Sequence, residues 1–207
     1  MKTLFIPAKI KSNVNEKAIN EISKKLPKSL AIAYSIQYKE LALKIQKILS
    51  KTHQITKIIQ VLGCSKPDFP KDTQAILLIG SGRFHAVSLA METNLPVYVL
   101  YNNSMTEISE KEIESLKTKK KASYLKFLNS DKIGILVSTK PGQENLKRAL
   151  ELKNSLKNKK AYILIGNNLS PSEFENFKTI DSWVNTACPR LDFDAGVINV
   201  RDISKED

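Results

Sequence analysis

The two cysteines of the chain, Cys64 and Cys188, occupy similar settings. Each follows an apolar run, residues 58–63 in the first case and 182–187 in the second. A cysteine that only fills a small apolar hole can lie anywhere in a core, whereas ligands of open α/β sheets bind at the carboxyl ends of the strands. Because both runs are predicted strands, we interpret the two cysteines as partners across one site.

The pair of thiols leaves several kinds of site open. A closed structural zinc site takes four ligands, and neither cysteine has a His or Cys three or four residues away. Two buried thiols, a redox pair and a soft-metal centre with further ligands from elsewhere all fit the pattern. Pro189 fixes the turn beside Cys188, and Arg190 brings a permanent positive charge close to any anionic cluster or carboxylate.

A second candidate site is the turn Gly80-Ser81-Gly82-Arg83-Phe84-His85, between a predicted strand and a predicted helix. Glycines let backbone N–H groups approach an anion, and a helix N-terminus favours negative charge. The turn lacks the third glycine of a dinucleotide fingerprint and the lysine of a P-loop, so it predicts neither NAD nor ATP. His85 is either a capping or core histidine or a ligand contact, and His53, in a lysine-rich turn, is predicted to lie on the surface.

Composition predicts a soluble globular protein. The chain has 207 residues, of which 42% are hydrophobic, and no apolar stretch near the roughly 20 residues that a membrane span needs. Two cysteines in such a length are typical of a reducing compartment, so we expect the cytoplasm. The apolar part of the N-terminus is too short for a signal-peptide core, and we expect no targeting segment and no membrane contact.

The net charge of +12 favours an acidic or nucleic-acid-bearing partner. Most of the excess is lysine spread along predicted helices, and the dense run Lys117–Lys121 is either a solvated linker or a docking patch. Aromatic residues that could stack on single-stranded nucleic acid are not interleaved with these lysines, so no direct nucleic-acid binding is expected.

Apolar β-branched runs alternate with amphipathic stretches, which predicts an α/β fold of two similar small domains, each a parallel sheet of about four strands flanked by helices. The predicted strands are 30–36, 58–62, 75–79 and 97–101, followed by 133–138, 161–165, 182–184 and 196–200. Helices are predicted at 38–51, 84–92, 143–156 and 171–177, and a polar connection from Asn102 to Lys121 contains a helix at 109–117. The predicted domains are residues 1–108 and 109–207.

The two predicted domains resemble loose copies of each other. The first strand of each ends in a polar turn with a glutamine, Gln37 or Gln143, and a helix and later a cysteine follow. Glutamine and cysteine are therefore expected on the same rim of each sheet. If the copies face each other, the two rims form one shared pocket.

Four motifs, in order, resemble the radical enzyme subunits of diphthamide synthesis, the 2-(3-amino-3-carboxypropyl)histidine synthase family. They are Val-Leu-Gly-Cys at 61–64, the turn at 80–85, Ser-Thr-Lys-Pro-Gly-Gln at 138–143 and Trp-Val-Asn-Thr-Ala-Cys-Pro-Arg at 183–190. The resemblance extends from about Leu4 onward, and Phe5–Lys9 resembles the junction between the family's first and second domains.

The resemblance implies a 4Fe-4S cluster held by one cysteine from each of three similar domains, with Cys64 as the second ligand and Cys188 as the third. It implies that S-adenosylmethionine is cleaved reductively, so that a 3-amino-3-carboxypropyl group attacks one histidine of translation elongation factor 2. Such chemistry requires donors for the methionine carboxylate and a dry cavity. The residues expected to bind cofactor or substrate, none of them covalently, are Gln37, Gly80, Ser81, Gly82, Arg83, His85, Gln143 and Arg190.

The sequence departs from the family in lacking its first domain and the cysteine ligand that this domain carries. We favour a separate chain that supplies this domain, as part of a dimer with an external electron donor. A non-catalytic scaffold subunit and a fragment of a longer chain are the alternatives within the family. Outside the family, the remaining alternative is an α/β protein that binds a phosphate ligand at the Gly80–Phe84 turn.

Overall fold

The computed structural model describes residues 3–11, 13–62, 66–174, 176–191 and 196–203. The chain divides into two compact units, Met1–Ile113 and Glu114–Asp207, each built around its own sheet. The α/β class that the sequence predicts is confirmed, with helices flanking sheets in which most strand pairs are parallel. No helix in the described ranges is long and apolar enough to cross a membrane.

Among the described residues, the sheet of the first unit has five strands in the order β2-β1-β3-β4-β5. They are β1 (Ser29–Tyr34), β2 (Gln54–Gln60), β3 (Ala75–Ile79), β4 (Val97–Tyr101) and β5 (Ser104–Glu107). β1 and β3 are buried along their whole length, which fits central strands covered on both faces. The first four strands are parallel, so their carboxyl ends meet at one edge.

Strand β5 was not predicted from the sequence, which assigned these residues to the polar connection between the domains. β5 pairs antiparallel with β4 through a tight turn in which Asn102 and Asn103 have φ values of 48° and 58°. Asparagine tolerates these positive φ values, and two such residues form the turn that suits a hairpin. Because β5 carries only one apolar residue, Met105, hydrophobic patterning gave no signal for it.

Three helices flank the first sheet: α1 (Glu16–Ser23), α2 (Lys39–Leu49) and α3 (Arg83–Thr93). α1 was not predicted; its first turn is capped by Asn15, whose side chain accepts a hydrogen bond from the Ala18 N–H at 3.2 Å. The prediction that His53 lies on the surface is wrong. His53 is buried just after α2, and its Nδ1 lies 2.8 Å from the Thr52 hydroxyl, which pairs this nitrogen of the buried imidazole.

Helix α4 (Glu110–Leu128) contains the boundary between the two units and the whole Lys117–Lys121 run. It is longer than the predicted helix at 109–117. Ser109 and Glu112 form a capping box at its start: the Glu112 carboxylate accepts from the Ser109 N–H at 3.0 Å, and the Glu112 N–H donates to the Ser109 hydroxyl at 3.4 Å.

The described strands of the second unit form a parallel sheet in the order β7-β6-β8-β9. They are β6 (Lys132–Ser138), β7 (Lys160–Gly166), β8 (Ser182–Asn185) and β9 (Ile198–Asn199), with helices α5 (Leu146–Ser155), α6 (Pro171–Phe174) and α7 (Val200–Ile203). Alternate β6 residues face opposite cores, Ile135 toward one cluster and Leu136 toward the other, where Trp183 packs. Trp183 lies against Gly134, where a Cβ would collide with its ring.

Candidate functional site

The carboxyl ends of the strands in the second unit surround a cavity of about 330 Å³. This is the edge at which open parallel sheets bind ligands. The lining comes from the last residues of β6 and β8 and from the segments that follow β6, β7 and β8. It consists of Ser138, Lys140, Gln143, Asn167, Leu169, Asn185, Ala187, Cys188, Arg190 and Leu191. Three residues predicted from the sequence, Gln143, Cys188 and Arg190, therefore meet at one cavity.

The described lining is cationic. It contains Lys140 and Arg190 and none of its residues is Asp or Glu. Lys140 is half-buried, and Arg190 is exposed at the rim. Two positive side chains without a described acidic partner in the lining favour an anionic ligand, and an arginine fork suits a carboxylate.

A tight turn after β6 presents Lys140 and Gln143 to the cavity. The Ser138 hydroxyl accepts a hydrogen bond from the Lys140 N–H at 3.1 Å and donates to the Asn167 carbonyl at 3.3 Å. The Gln143 N–H donates to the Lys140 carbonyl at 3.0 Å, and Gly142 has a φ of 78°, which favours glycine. The sequence analysis quoted this motif but assigned a role only to Gln143.

Cys188 is a half-buried free thiol in the loop after β8. A pair of buried asparagines below the loop, Asn185 and Asn199, was missed by the sequence analysis. The Asn185 amide donates to the Cys188 carbonyl at 2.8 Å and to Oδ1 of Asn199 at 2.7 Å. The signal in the sequence was the polar Asn185 directly after the apolar residues Trp183 and Val184, at the end of a strand, where a buried amide needs partners.

The predicted residues of the first unit lie at the corresponding edge of its sheet. Gln37 is exposed in the 3₁₀ turn that follows β1, and its carbonyl accepts a hydrogen bond from the Ile10 N–H at 3.1 Å. Gly80 directly follows β3 and has a φ of 152°, and Ser81 is exposed beside it. β1 and β3 are parallel neighbours, so these segments share one edge. Cys64, the remaining predicted ligand, lies outside the described residues.

Gly82 and His85 form the start of α3. Gly82 is the N-cap, and a Cβ at this position would lie 2.5 Å from Nδ1 of His85, so the imidazole folds back over the cap. The rings of Phe84 and His85 meet edge to face, with centroids 5.5 Å apart. His85 therefore packs against the start of α3; its role, as a capping or core histidine or as a ligand contact, stays a prediction.

Arg83 makes a two-pronged ion pair with Glu112 at this edge. Its Nε lies 2.6 Å from Oε1 of Glu112 and its Nη2 lies 2.7 Å from Oε2, while Nη1 reaches the Thr106 hydroxyl at 3.4 Å. The guanidinium, together with hydrogen bonds from Ser109, lowers the pKa of Glu112 to about 2. Arg83 thus joins α3 to the start of α4, whatever else it binds.

The residues around Cys188 fit a thiolate-bound cluster. A partly accessible thiol beside two cations is the setting in which a thiolate and an anionic centre are stabilised. In the described ranges, no group of three or more His, Cys, Asp or Glu side chains could hold a metal ion by itself. The role of Cys188 as a cluster ligand stays a prediction.

Comparison with known proteins decides the family. Residues 1–197 match the family model described as "Putative diphthamide synthesis protein". The chain belongs to the diphthamide synthesis family. The resemblance deduced from the four motifs is thereby confirmed for nearly the whole chain.

Members of the diphthamide synthesis family with curated names include archaeal relatives of this chain. The 2-(3-amino-3-carboxypropyl)histidine synthase of Methanocaldococcus jannaschii is 31% identical over 94% of this chain and 57% of its own length. The Pyrococcus horikoshii protein of the same name is 28% identical over 93% of this chain and 60% of its own. The chain thus spans somewhat over half the length of these two relatives.

Solved structures of the diphthamide synthesis family share the fold. The crystal structure of Dph2 from Pyrococcus horikoshii has a TM-score of 0.77 at 26% identity and covers 91% of this chain, which covers 60% of that one. A second structure of that protein, with a 4Fe-4S cluster, has a TM-score of 0.76. A family member with this fold therefore holds an iron–sulfur cluster.

Proposed function

We propose that this chain is part of a 4Fe-4S enzyme that cleaves S-adenosylmethionine and transfers its 3-amino-3-carboxypropyl group to a histidine of translation elongation factor 2, the first step of diphthamide biosynthesis. The observation that carries the proposal is the cavity at which Cys188 meets Lys140, Gln143 and Arg190. In a chain of this family, a thiol in a cationic cavity is suited to a cluster and to the carboxylate group of a substrate.

In this proposal Cys188 holds the cluster through its thiolate, and Cys64 supplies a second thiolate. When bound, the cluster supplies the electron for reductive cleavage of a carbon–sulfur bond in S-adenosylmethionine. Arg190 and Lys140 bind and orient the methionine carboxylate, and Gln143 contributes an amide beside them. Leu169 and Leu191, both half-buried in the lining, keep water from that side of the cavity, which protects reactive intermediates.

A cluster held by three cysteines needs a ligand that these 207 residues do not carry. A site of three cysteines, which the family resemblance implies, needs one more thiolate than the two in these 207 residues. We propose that a separate chain carrying the family's first domain supplies it, within a dimeric assembly that works in the cytoplasm with an external electron donor. The Schizosaccharomyces pombe relative, 32% identical over 66% of this chain and 33% of its own length, is named subunit 1 of the synthase.

The test is anaerobic reconstitution with iron and sulfide, of this chain alone and of this chain mixed with a polypeptide that carries the first domain. We expect the visible absorption of a 4Fe-4S cluster, and an electron paramagnetic resonance signal after dithionite, in the mixture. Cys64→Ala and Cys188→Ala should each abolish the signal. Ser172→Ala, which changes a residue outside the cavity lining, should keep it.

The other outcomes separate the alternatives. Diphthamide formation that survives both cysteine changes would mean that the chain is a non-catalytic scaffold subunit. Colourless protein under every condition, together with stabilisation by inorganic phosphate that Gly80→Ala removes, would instead support a phosphate-ligand binding protein. Either result would overturn the proposed reaction for this chain.

A further inference from the structure

The side-chain amides of Asn185 and Asn199 lie next to each other at the carboxyl ends of β8 and β9. The two residues are partners in the strand register, and they are 1% and 2% exposed. Nδ2 of Asn185 donates to Oδ1 of Asn199 at 2.7 Å. Burying a side-chain amide costs free energy unless its polar atoms are paired. The bond between the two asparagines pairs only one donor and one acceptor, so their other polar atoms need further hydrogen-bond partners.

Those further hydrogen bonds go to the backbone of the loop that carries Cys188. Oδ1 of Asn185 accepts from the Ala187 N–H at 2.9 Å, and Nδ2 of Asn185 donates to the Cys188 carbonyl at 2.8 Å. Nδ2 of Asn199 donates to the Pro189 carbonyl at 3.3 Å. The pair thus binds three consecutive residues through their backbone, while Cys188 also lines the cavity.

We propose that Asn185 and Asn199 are positioning residues that fix the backbone on both sides of Cys188 and so hold its thiol at the cavity before any metal binds. The functional role of the asparagine pair rests on the proposed function, in which Cys188 is a cluster ligand. A ligand whose loop is already ordered pays less conformational entropy when the cluster binds, and groups behind a metal ligand orient it in this way. The positioning itself is a property of the metal-free chain.

A nearly isosteric substitution and a truncation, each compared with a control, separate positioning from simple packing. In Asn185→Asp, one oxygen still accepts from the Ala187 N–H, but the other replaces the donor that faces the Cys188 carbonyl and Asn199. Asn199→Ala removes the bond to the Pro189 carbonyl and the contact with Asn185. The matched control is Thr186→Val, which removes a buried 2.7 Å hydrogen bond from the Thr186 hydroxyl to the Leu136 carbonyl and leaves the asparagine pair intact.

The experiment measures the rate at which iodoacetamide alkylates Cys188 in the metal-free chain. A Cys64→Ala background leaves Cys188 as the only thiol, since the sequence has two cysteines. We expect Asn185→Asp and Asn199→Ala to raise the rate about fivefold or more, because local opening of the loop exposes the thiol. Thr186→Val should leave the rate nearly unchanged at a similar loss of thermal stability.

Unchanged rates in the two asparagine variants, or an equal rise in Thr186→Val, would overturn the proposal. If Asn185→Asp does not fold, Asn199→Ala and Asn185→Ser carry the test. The result is independent of the cluster experiment. If alkylation follows the expected pattern but no mixture forms a cluster, the proposed function is wrong and the positioning role stands. If a cluster forms but the asparagine variants alkylate like the wild type, the positioning role is wrong and the proposed function stands.

Discussion

Arg83 and Glu112 join the starts of two helices through a two-pronged ion pair, with Nε to Oε1 at 2.6 Å and Nη2 to Oε2 at 2.7 Å. Arg83 is the first residue of α3, and Glu112 lies in the first turn of α4. The same carboxylate accepts a hydrogen bond from the Ser109 hydroxyl at 2.8 Å. One glutamate therefore caps α4 and ties it to the glycine turn.

We expect Arg83→Ala to destabilise the chain by about 1 kcal/mol, because both side chains of the pair are partly exposed and a solvated ion pair contributes little. Glu112→Ala should cost more, because it also removes the hydrogen bonds from Ser109 that cap α4. The double variant should lose much less than the sum of the two single losses. Urea unfolding of the four proteins measures the coupling. Additive losses would mean that the pair contributes no coupling energy.

The same variants test the predicted ligand contact of Arg83. If Arg83 acts only through Glu112, the affinity of the cluster-loaded complex for S-adenosylmethionine should be equal in Arg83→Ala and Glu112→Ala. A weaker affinity in Arg83→Ala alone would support direct binding. Arg83→Lys keeps the positive charge and loses the two-pronged guanidinium group. It therefore shows whether binding depends on the charge or on the guanidinium geometry.

The ion pair also predicts a pH dependence. The pKa of Glu112 falls from its ordinary 4.5 to about 2, so the folded state favours the ionised carboxylate. Its stabilisation is complete above pH 4.5 and is lost as the pH falls from there toward 2. Urea unfolding should show wild type more stable than Glu112→Gln by about 1 kcal/mol near pH 6, with the gap closing at lower pH and shrinking in high salt. A gap that widens on acidification would contradict this assignment.

The sequence predicted the meeting of Gln143, Cys188 and Arg190 because all three follow strands whose carboxyl ends share one edge. It did not predict the Asn185–Asn199 pair, because that contact depends on the register of β8 against β9, and patterning does not define which residues of two strands lie opposite each other. Strand β5 was missed for a different reason: its pairing comes from a turn, and it has almost no apolar side chains.

Gly134 lies below the cavity, where it leaves room for Trp183. A Cβ at this position would collide with the indole ring and lie 3.1 Å from Cγ2 of Ile180. Trp183 packs in the same cluster as Leu191, which lines the cavity. We expect Gly134→Ala to cost about 1–3 kcal/mol, the usual range for overpacking. Gly196→Ala is the control, because a Cβ there meets nothing within 4 Å. Equal thermal unfolding midpoints for the two variants would contradict this packing argument.

The cationic lining predicts how the substrate carboxylate contributes to affinity. In the cluster-loaded complex, the wild type should bind S-adenosylmethionine more tightly than its decarboxylated analogue by about 10- to 100-fold, the contribution of hydrogen bonds to a charged group. Arg190→Ala and Lys140→Ala should each reduce that ratio, because they weaken the binding of S-adenosylmethionine and leave the affinity for the analogue nearly unchanged.

Isothermal titration with both ligands measures the ratio, and Lys147→Ala is the matched control. Lys147 carries the same charge on α5 of the same unit, but its side chain is 93% exposed and it is not part of the described cavity lining. Screening by solvent and salt makes such a charge nearly neutral for a ligand in the cavity, so its removal should leave the ratio as in the wild type. If Arg190→Ala and Lys140→Ala lower the affinity for both ligands equally, these side chains shape the cavity without binding the carboxylate.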